Sequence, residues 1–362
     1  MANLKGKKAK AAENEKLAAG LGITVEELAD RNVPTVGFDE NGERHFDYGT
    51  RRFAVTLCAI APDVGFEVFQ LTTQETKAGK KTKNLPKPGT QDDLSRAEAA
   101  QEEFKQMKKE LKAVVKAEKK RLELALMTGR CWSTEAWTEL FAEHPLMRRF
   151  SPALVWGIYN GDTLAKSFRC RENGLFYDAE GKELELPEDA RIRLVFPLEL
   201  TKEEKKAWQD QIWEDDMEQP IEQLDLKTYT VHKQEAKKKK LVRCKGKLFL
   251  DEIFGDRLEK FGWHCGRMDD EHDFYDIYYR EDKDAGLSVE LHTSGNTPFD
   301  NMEIELYGTR FFESGTFDWE THEYDEKDEE KAIALQDIPP RYFSEVVRQI
   351  MEAGAESYLW DK

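Results

Sequence analysis

Residues 131–170 read CWSTEAWTELFAEHPLMRRFSPALVWGIYNGDTLAKSFRC, and this stretch decides the fold. Ser133 is placed to cap a helix, and Trp137, Leu140 and Phe141 recur at the i, i+3, i+4 spacing of one buried face. His144-Pro145 ends that helix, because the residue before a proline is pushed out of the α region. Proline also suits the first turn of a new helix, expected over 146–150. Residues 154–159, LVWGIY, then form a short apolar run closed by Asn160-Gly161, which reads as a buried strand and its turn. Helix, short helix and central strand describe a core; they name no reaction.

On the N-terminal side, 91–128 is the longest helical candidate. Phe104, Met107, Leu111, Val114, Val115, Leu122, Ala125 and Leu126 trace one face, and Gly129 is a natural stop. Its seven lysines alternate with glutamates, which favours paired charges on a solvated face over a nucleic-acid surface. Residues 72–93 read as a linker or surface loop. Gly79-Lys-Lys-Thr82 within it lacks the leading glycine of a phosphate-binding loop, since Gln74 stands there. Earlier still, 35–38 and 43–46 read as a hairpin around a turn at 39–42, with further strands at 53–57 and 66–71. Thr24 and Glu27 form a capping-box pattern, and 1–16 is a basic tail.

On the C-terminal side, strands are expected at 164–169, 175–177 and 191–196. A helix follows from Thr201, with Trp208, Ile212 and Trp213 four and five apart, ended by Gln219-Pro220. Lys237–Lys240 is a four-lysine run within a crossing segment over 225–243. Further strands are expected at 274–280, 286–293 and 302–312, the first loaded with aromatics. Residues 313–330 hold nine acids against one lysine and read as a solvated loop. Phe343, Val346, Val347, Ile350 and Met351 then mark a last amphipathic helix after Ile338-Pro-Pro340. The fold class this predicts is α+β: small antiparallel sheets with a long helix and a mixed helix/strand core. The expected divisions are a mobile tail over 1–19, a β-rich part and linker over 20–90, the long helix and central core over 91–231, and an α+β portion over 232–362 with the acidic loop 313–330.

Composition narrows the function classes. Charged residues make up 35% of the 362 positions, yet eight Trp, twenty Phe and eleven Tyr supply bulky core material. The five cysteines are scattered and odd in number, with no C-x-x-C pair, which favours a reducing, cytoplasmic compartment. No run of about 18 apolar residues is present, so no membrane span is expected. Residues 1–130 carry 24 Lys+Arg against 20 Asp+Glu, and the remainder 31 against 52. An acidic body repels phosphates, which argues against nucleic acid as a partner.

Six blocks carry a family resemblance: FDYGTRRFAVTL (46–57), LPKPGTQDD (85–93), 129–161, LELPEDARIRLVFPLEL (184–200), MEQPIEQLDLKTY (217–229) and LQDIPPRYFSEVVRQIM (335–351). In this order they resemble the bacterial domain of unknown function at the C-terminal end of molybdate-metabolism-regulator (MolR)-like proteins, often beside a WGR domain or helical repeats. The resemblance covers roughly 20–352. It implies a bacterial cytoplasmic protein with a protein partner; relatives are sometimes encoded near AAA-type ATPases and von Willebrand factor A-domain proteins, which makes those two classes the candidates. It implies no reaction.

Candidate chemistry is sparse. His264, Cys265, Asp269, Asp270, His272 and Asp273 supply zinc-ligand types at a spacing that matches no recognised pattern, so no metal and no cofactor is expected. His144 is a residue type that titrates near neutrality and could serve as a general base. With Arg148, Arg169, Gln219 and Gln223 it forms a candidate polar pocket at the ends of apolar elements. The competing reading is that these five satisfy backbone groups there. Three function classes follow: a non-catalytic interaction module, an enzyme with an unrecognised site, and a nucleic-acid-associated regulator using Lys237–Lys240 with the long helix. No catalytic residue is assigned.

Overall fold

The computed structural model describes residues 13–60, 64–171, 174–268, 275–296 and 303–355. It is an α+β protein that divides into two compact units. The first comprises 1–123, 131–195 and 202–223, and the second 124–130, 196–201 and 224–362.

In the first unit, α1 (13–21) leads into α2 (Val25–Arg31). Thr24 caps α2 through the expected reciprocal bonds, its Oγ1 accepting from Glu27 N and its N–H donating to Glu27 Oε2. A four-stranded antiparallel meander follows: β1 (Glu43–Asp47), β2 (Arg52–Leu57), β3 (Phe66–Leu71) and β4 (Lys77–Thr82). Two expectations are corrected here. Residues 35–38 form no strand, because Val36 and Gly37 both hold positive φ (55° and 74°), which breaks extension, and β1 pairs with β2 instead. Within 72–93, residues 77–82 are an edge strand and not a loop. Its lysines suit an edge, where charge discourages pairing with another chain. Helix α3 (Leu94–Thr128) follows, its residues up to 123 belonging to this unit, and Phe104 on it meets Phe46 and Phe66 edge-on at 5.6 and 5.7 Å. Gly129, at φ 70°, ends α3 as expected.

The central stretch then builds the second sheet. Strand β5 (Trp132–Ser133) precedes α4 (Thr134–Trp137), which Ser133 caps through its Oγ from Ala136 N at 3.2 Å. A π-helical turn (Thr138–Glu143) and two 3₁₀ turns (Met147–Arg149, Ser151–Ala153) carry the chain into β6 (Trp156–Asn160). With β7 (Thr163–Cys170), β8 (Phe176–Tyr177), β9 (Glu183–Leu184) and β10 (Arg191–Leu194), these strands lie in the order β5-β10-β6-β7-β8-β9, all antiparallel. Trp156 is fully buried, with Trp132, Trp137 and Phe141 at 5.9, 5.3 and 4.5 Å. Helix α5 (Lys202–Glu214) lays Trp208 and Ile212 inward, the Trp208 indole N–H donating to Ser167 Oγ at 3.0 Å.

The second unit is one antiparallel sheet with helices on one face. Strands β11 (Lys240–Leu241), β14 (Tyr275–Asp282), β15 (Leu287–Asn296) and β16 (Glu303–Glu313) run β11-β16-β15-β14, followed by β13 (His264–Cys265), while β12 (Leu248–Leu250) pairs with β16. Val289, Leu291, Ile304, Leu306 and Phe311 form a core with α6 (Asp251–Lys260) and α7 (Pro340–Gly354). Helix α6 was not anticipated, although Phe254 and Leu258 are one helical turn apart and both fully buried. Helix α7 buries Phe343, Val346, Val347 and Ile350, as its pattern predicts.

Candidate functional site

All five candidate polar residues fall in the first unit. Gln223 is fully buried just beyond the β6–β10 pair. Its Oε1 accepts from Val155 N (2.9 Å), and its Nε2 donates to the carbonyls of Val155 (2.7 Å) and Val195 (2.9 Å). Gln219 donates to Ala153 O at 2.9 Å and to Gln223 Oε1 at 3.1 Å. Arg169, 1% exposed, donates through Nε and Nη2 to Pro152 O at 2.9 and 2.7 Å, and its Nη1 lies 3.0 Å from Asp215 Oδ2. These three side chains therefore converge on the backbone of 152–155, where the chain passes from a 3₁₀ turn into β6.

His144 works elsewhere. Its Nδ1 accepts from Leu146 N and Met147 N, both at 3.2 Å, so the neutral ring carries its proton on Nε2, which donates to Val33 O at 3.1 Å. Burial pushes its pKa down, the bond to Val33 opposing the shift. Arg148 sits on the 3₁₀ turn beside it, and its buried Nε has no hydrogen-bond partner among the described residues. Both ring nitrogens of His144 are engaged, so a base role would require breaking a backbone contact.

Sequence reasoning missed a second constellation, on the sheet face opposite the helices of the second unit. Glu290 of β15 and Arg310 of β16 are directly paired in register, 0% and 1% exposed. Arg310 Nε donates to Glu290 Oε1 at 2.8 Å, and Nη1 donates to Asp325 O at 2.8 Å. The other carboxylate oxygen lies 3.1 Å from His322 Nε2. Tyr324 stacks on His292 with Arg310 4.5 Å above its ring, and Trp319 stacks on Tyr279 at 5.1 Å. Burial and the nearby Lys240 push the His292 pKa down to about 4. Residues 313–330 are thus no free loop: Glu313 ends β16, and Trp319, His322 and Tyr324 fold onto the sheet. Eight of the nine acids nevertheless remain exposed, Asp328 alone being buried.

The family match falls mostly within the first unit. The family model for a domain of unknown function, DUF4132, matches residues 79–263. The chain belongs to this family. A curated relative, the uncharacterised protein YehI of Escherichia coli strain K12, is 32% identical over 257 residues, which are 70% of this chain and 20% of that protein. The chain therefore spans about a fifth of the length of this relative. No solved structure matches it.

The DUF4132 segment contains α3, the second sheet, α5 and all five candidate residues, whereas Glu290, Arg310 and His322 lie beyond it. Of the zinc-type residues, His264 and Cys265 form β13, paired with Tyr279 and Tyr278. Asp269, Asp270, His272 and Asp273 lie outside the described residues. Among the described residues no group of three or more His, Cys, Asp or Glu is placed to hold a metal ion. No helix among them is long and apolar enough to cross a membrane.

Proposed function

We propose that this DUF4132 chain is a non-catalytic interaction module that docks a basic protein surface through the acids of 313–330. One observation carries the reading: eight exposed acids ride on a segment that Trp319, His322 and Tyr324 fasten to a sheet. Fixed charge of one sign speeds encounter with a complementary surface and orients it, with little ordering left to do on binding. The resemblance to MolR-like, WGR-associated proteins supports a bacterial cytoplasmic assembly with an AAA-type ATPase or a von Willebrand factor A-domain protein as the partner. The engagement of Gln219, Gln223, Arg169 and His144 with backbone groups favours this over an enzyme built on those residues.

The test uses the partner recovered by affinity purification from the native host. Its association rate should fall as salt rises, and should fall again when Asp318, Glu320, Glu323, Glu326, Glu329 and Glu330 are made neutral. An association rate indifferent to both changes refutes the proposal. Turnover by the isolated chain, abolished at His144 or Arg169, establishes the enzyme reading instead.

A further inference from the structure

Trp213 is 81% exposed, on a helix whose other large apolar residues, Trp208 and Ile212, are buried. The geometry explains the split. Five residues from Trp208 is a rotation of about 140°, so Trp213 cannot share the inward face. Around it the sequence reads WEDDME, and Glu214, Asp215, Asp216 and Glu218 are all exposed.

The end of α5 holds this group in a fixed frame. Asp216 takes the left-handed conformation at φ 53°, and its N–H donates to Trp213 O at 3.1 Å, while Met217 N donates to Ile212 O at 3.0 Å. These are the two closing bonds of a Schellman-type helix end, with an aspartate where glycine is usual. Asp215 is further tied to Arg169, itself bound to Pro152 O. The indole is therefore displayed from a backbone that is already ordered, which reduces what binding has to immobilise.

We infer that Trp213 anchors a docking surface for an arginine-bearing segment of a partner protein. An exposed indole gains most by being covered, and tryptophan is enriched among residues that dominate interfaces. The surrounding carboxylates select what covers it. They repel nucleic-acid phosphates and anionic lipid, both of which would otherwise suit an exposed aromatic. A guanidinium satisfies both features at once, stacking flat on the indole while its N–H fork pairs with a carboxylate. A lysine ammonium, a compact point charge, does this less well. The inference stands on α5 and the turn that follows it, and does not rest on the acids of 313–330.

Fluorescein-labelled nona-arginine and nona-lysine peptides, titrated at low salt into the full chain, test it. Trp213→Ala should weaken nona-arginine about two- to five-fold, the range expected of one exposed cation–π contact, and nona-lysine by less. Trp213→Phe should retain part of the difference. Because Trp213 is exposed, both variants should melt with the parent, which separates a binding loss from a folding one. Neutralising the 313–330 acids should weaken both peptides alike and leave the Trp213 increment intact, so the two surfaces fail independently. Equal nona-arginine affinity for parent and Trp213→Ala overturns the inference, as does an equal loss for both peptides.

Discussion

Gln223→Leu removes an amide that acts as a length of strand. Gln223 joins Val155 to Val195 just past the point where β6 and β10 stop pairing. Leucine fits the volume but bonds to neither. Val155 O keeps the bond from Val195 N, and Gln219 keeps Ala153 O. Val155 N and Val195 O lose the Gln223 amide, and each buried group left without it costs about 1–3 kcal/mol. Relief of burying the amide itself, about 1 kcal/mol, offsets part of this. The net expectation is a loss of about 3 kcal/mol, or about 6–12 °C in melting temperature for a cooperative unit of this size. Gln223→Glu should be worse, because it sets a carboxylate against two carbonyls. Thermal and urea melts followed by near-ultraviolet circular dichroism read both variants. A Gln223→Leu protein melting within a degree of the parent would refute the bridging role, and one less stable than Gln223→Glu would refute the account of polarity.

Two further perturbations address the core and the outer face. Trp156→Ala should cost roughly 3–5 kcal/mol, the usual toll for truncating a large aromatic in a filled core, measured by urea denaturation. Lowering the pH should weaken the fold through His292, whose folded pKa of about 4 lies below its ordinary 6.5. The stabilisation is fully present above pH 6.5 and is lost as pH falls towards 4, because the unfolded chain takes up a proton the folded one excludes; the total is at most about 3 kcal/mol. His292→Phe, which keeps a ring against Tyr324, should show a smaller fall in stability over that window. Identical pH profiles would sink the assignment.

Much of the fold was legible because buried faces leave a period in the sequence. Phe104, Met107 and Leu111 on α3, Trp208 and Ile212 on α5, and Phe343, Val346 and Val347 on α7 are all buried as their spacing requires. Ser133 and Thr24 announced caps that the structure contains. Periodicity fails where something other than burial sets the backbone. Val36 and Gly37 turn left-handed, and β4 is held by pairing to β3 while presenting lysines to solvent. The site on the outer face was illegible for a sharper reason. Along β15, Leu287, Val289 and Leu291 alternate with Ser288, Glu290 and His292, a pattern that normally puts the polar set in water. Here Ser288 and Glu290 are buried as well and His292 is half-buried, and Glu290 meets its partners only through strand register and a segment some thirty residues on.

That covered face also bears on what the lysine run 237–240 does. Lys239 Nζ donates to Glu330 O at 2.5 Å, and Lys240 Nζ to Tyr324 OH at 3.1 Å with the Tyr324 ring 5.4 Å away. Lys331 pairs with Asp328 at 2.7 Å and lies over Phe317. A segment carrying nine acids repels itself, which opposes the hold of Trp319, His322 and Tyr324 on the sheet. Arg310, Lys239, Lys240 and Lys331 supply the opposing charge from beneath and beside it. Cations spent in this way are withdrawn from any phosphate-binding face, while the carboxylates they do not reach still point outward. The anchoring and the outward field are then two sides of one arrangement: loosening Arg310 should cost fold stability and also blur the charge pattern a basic partner would meet.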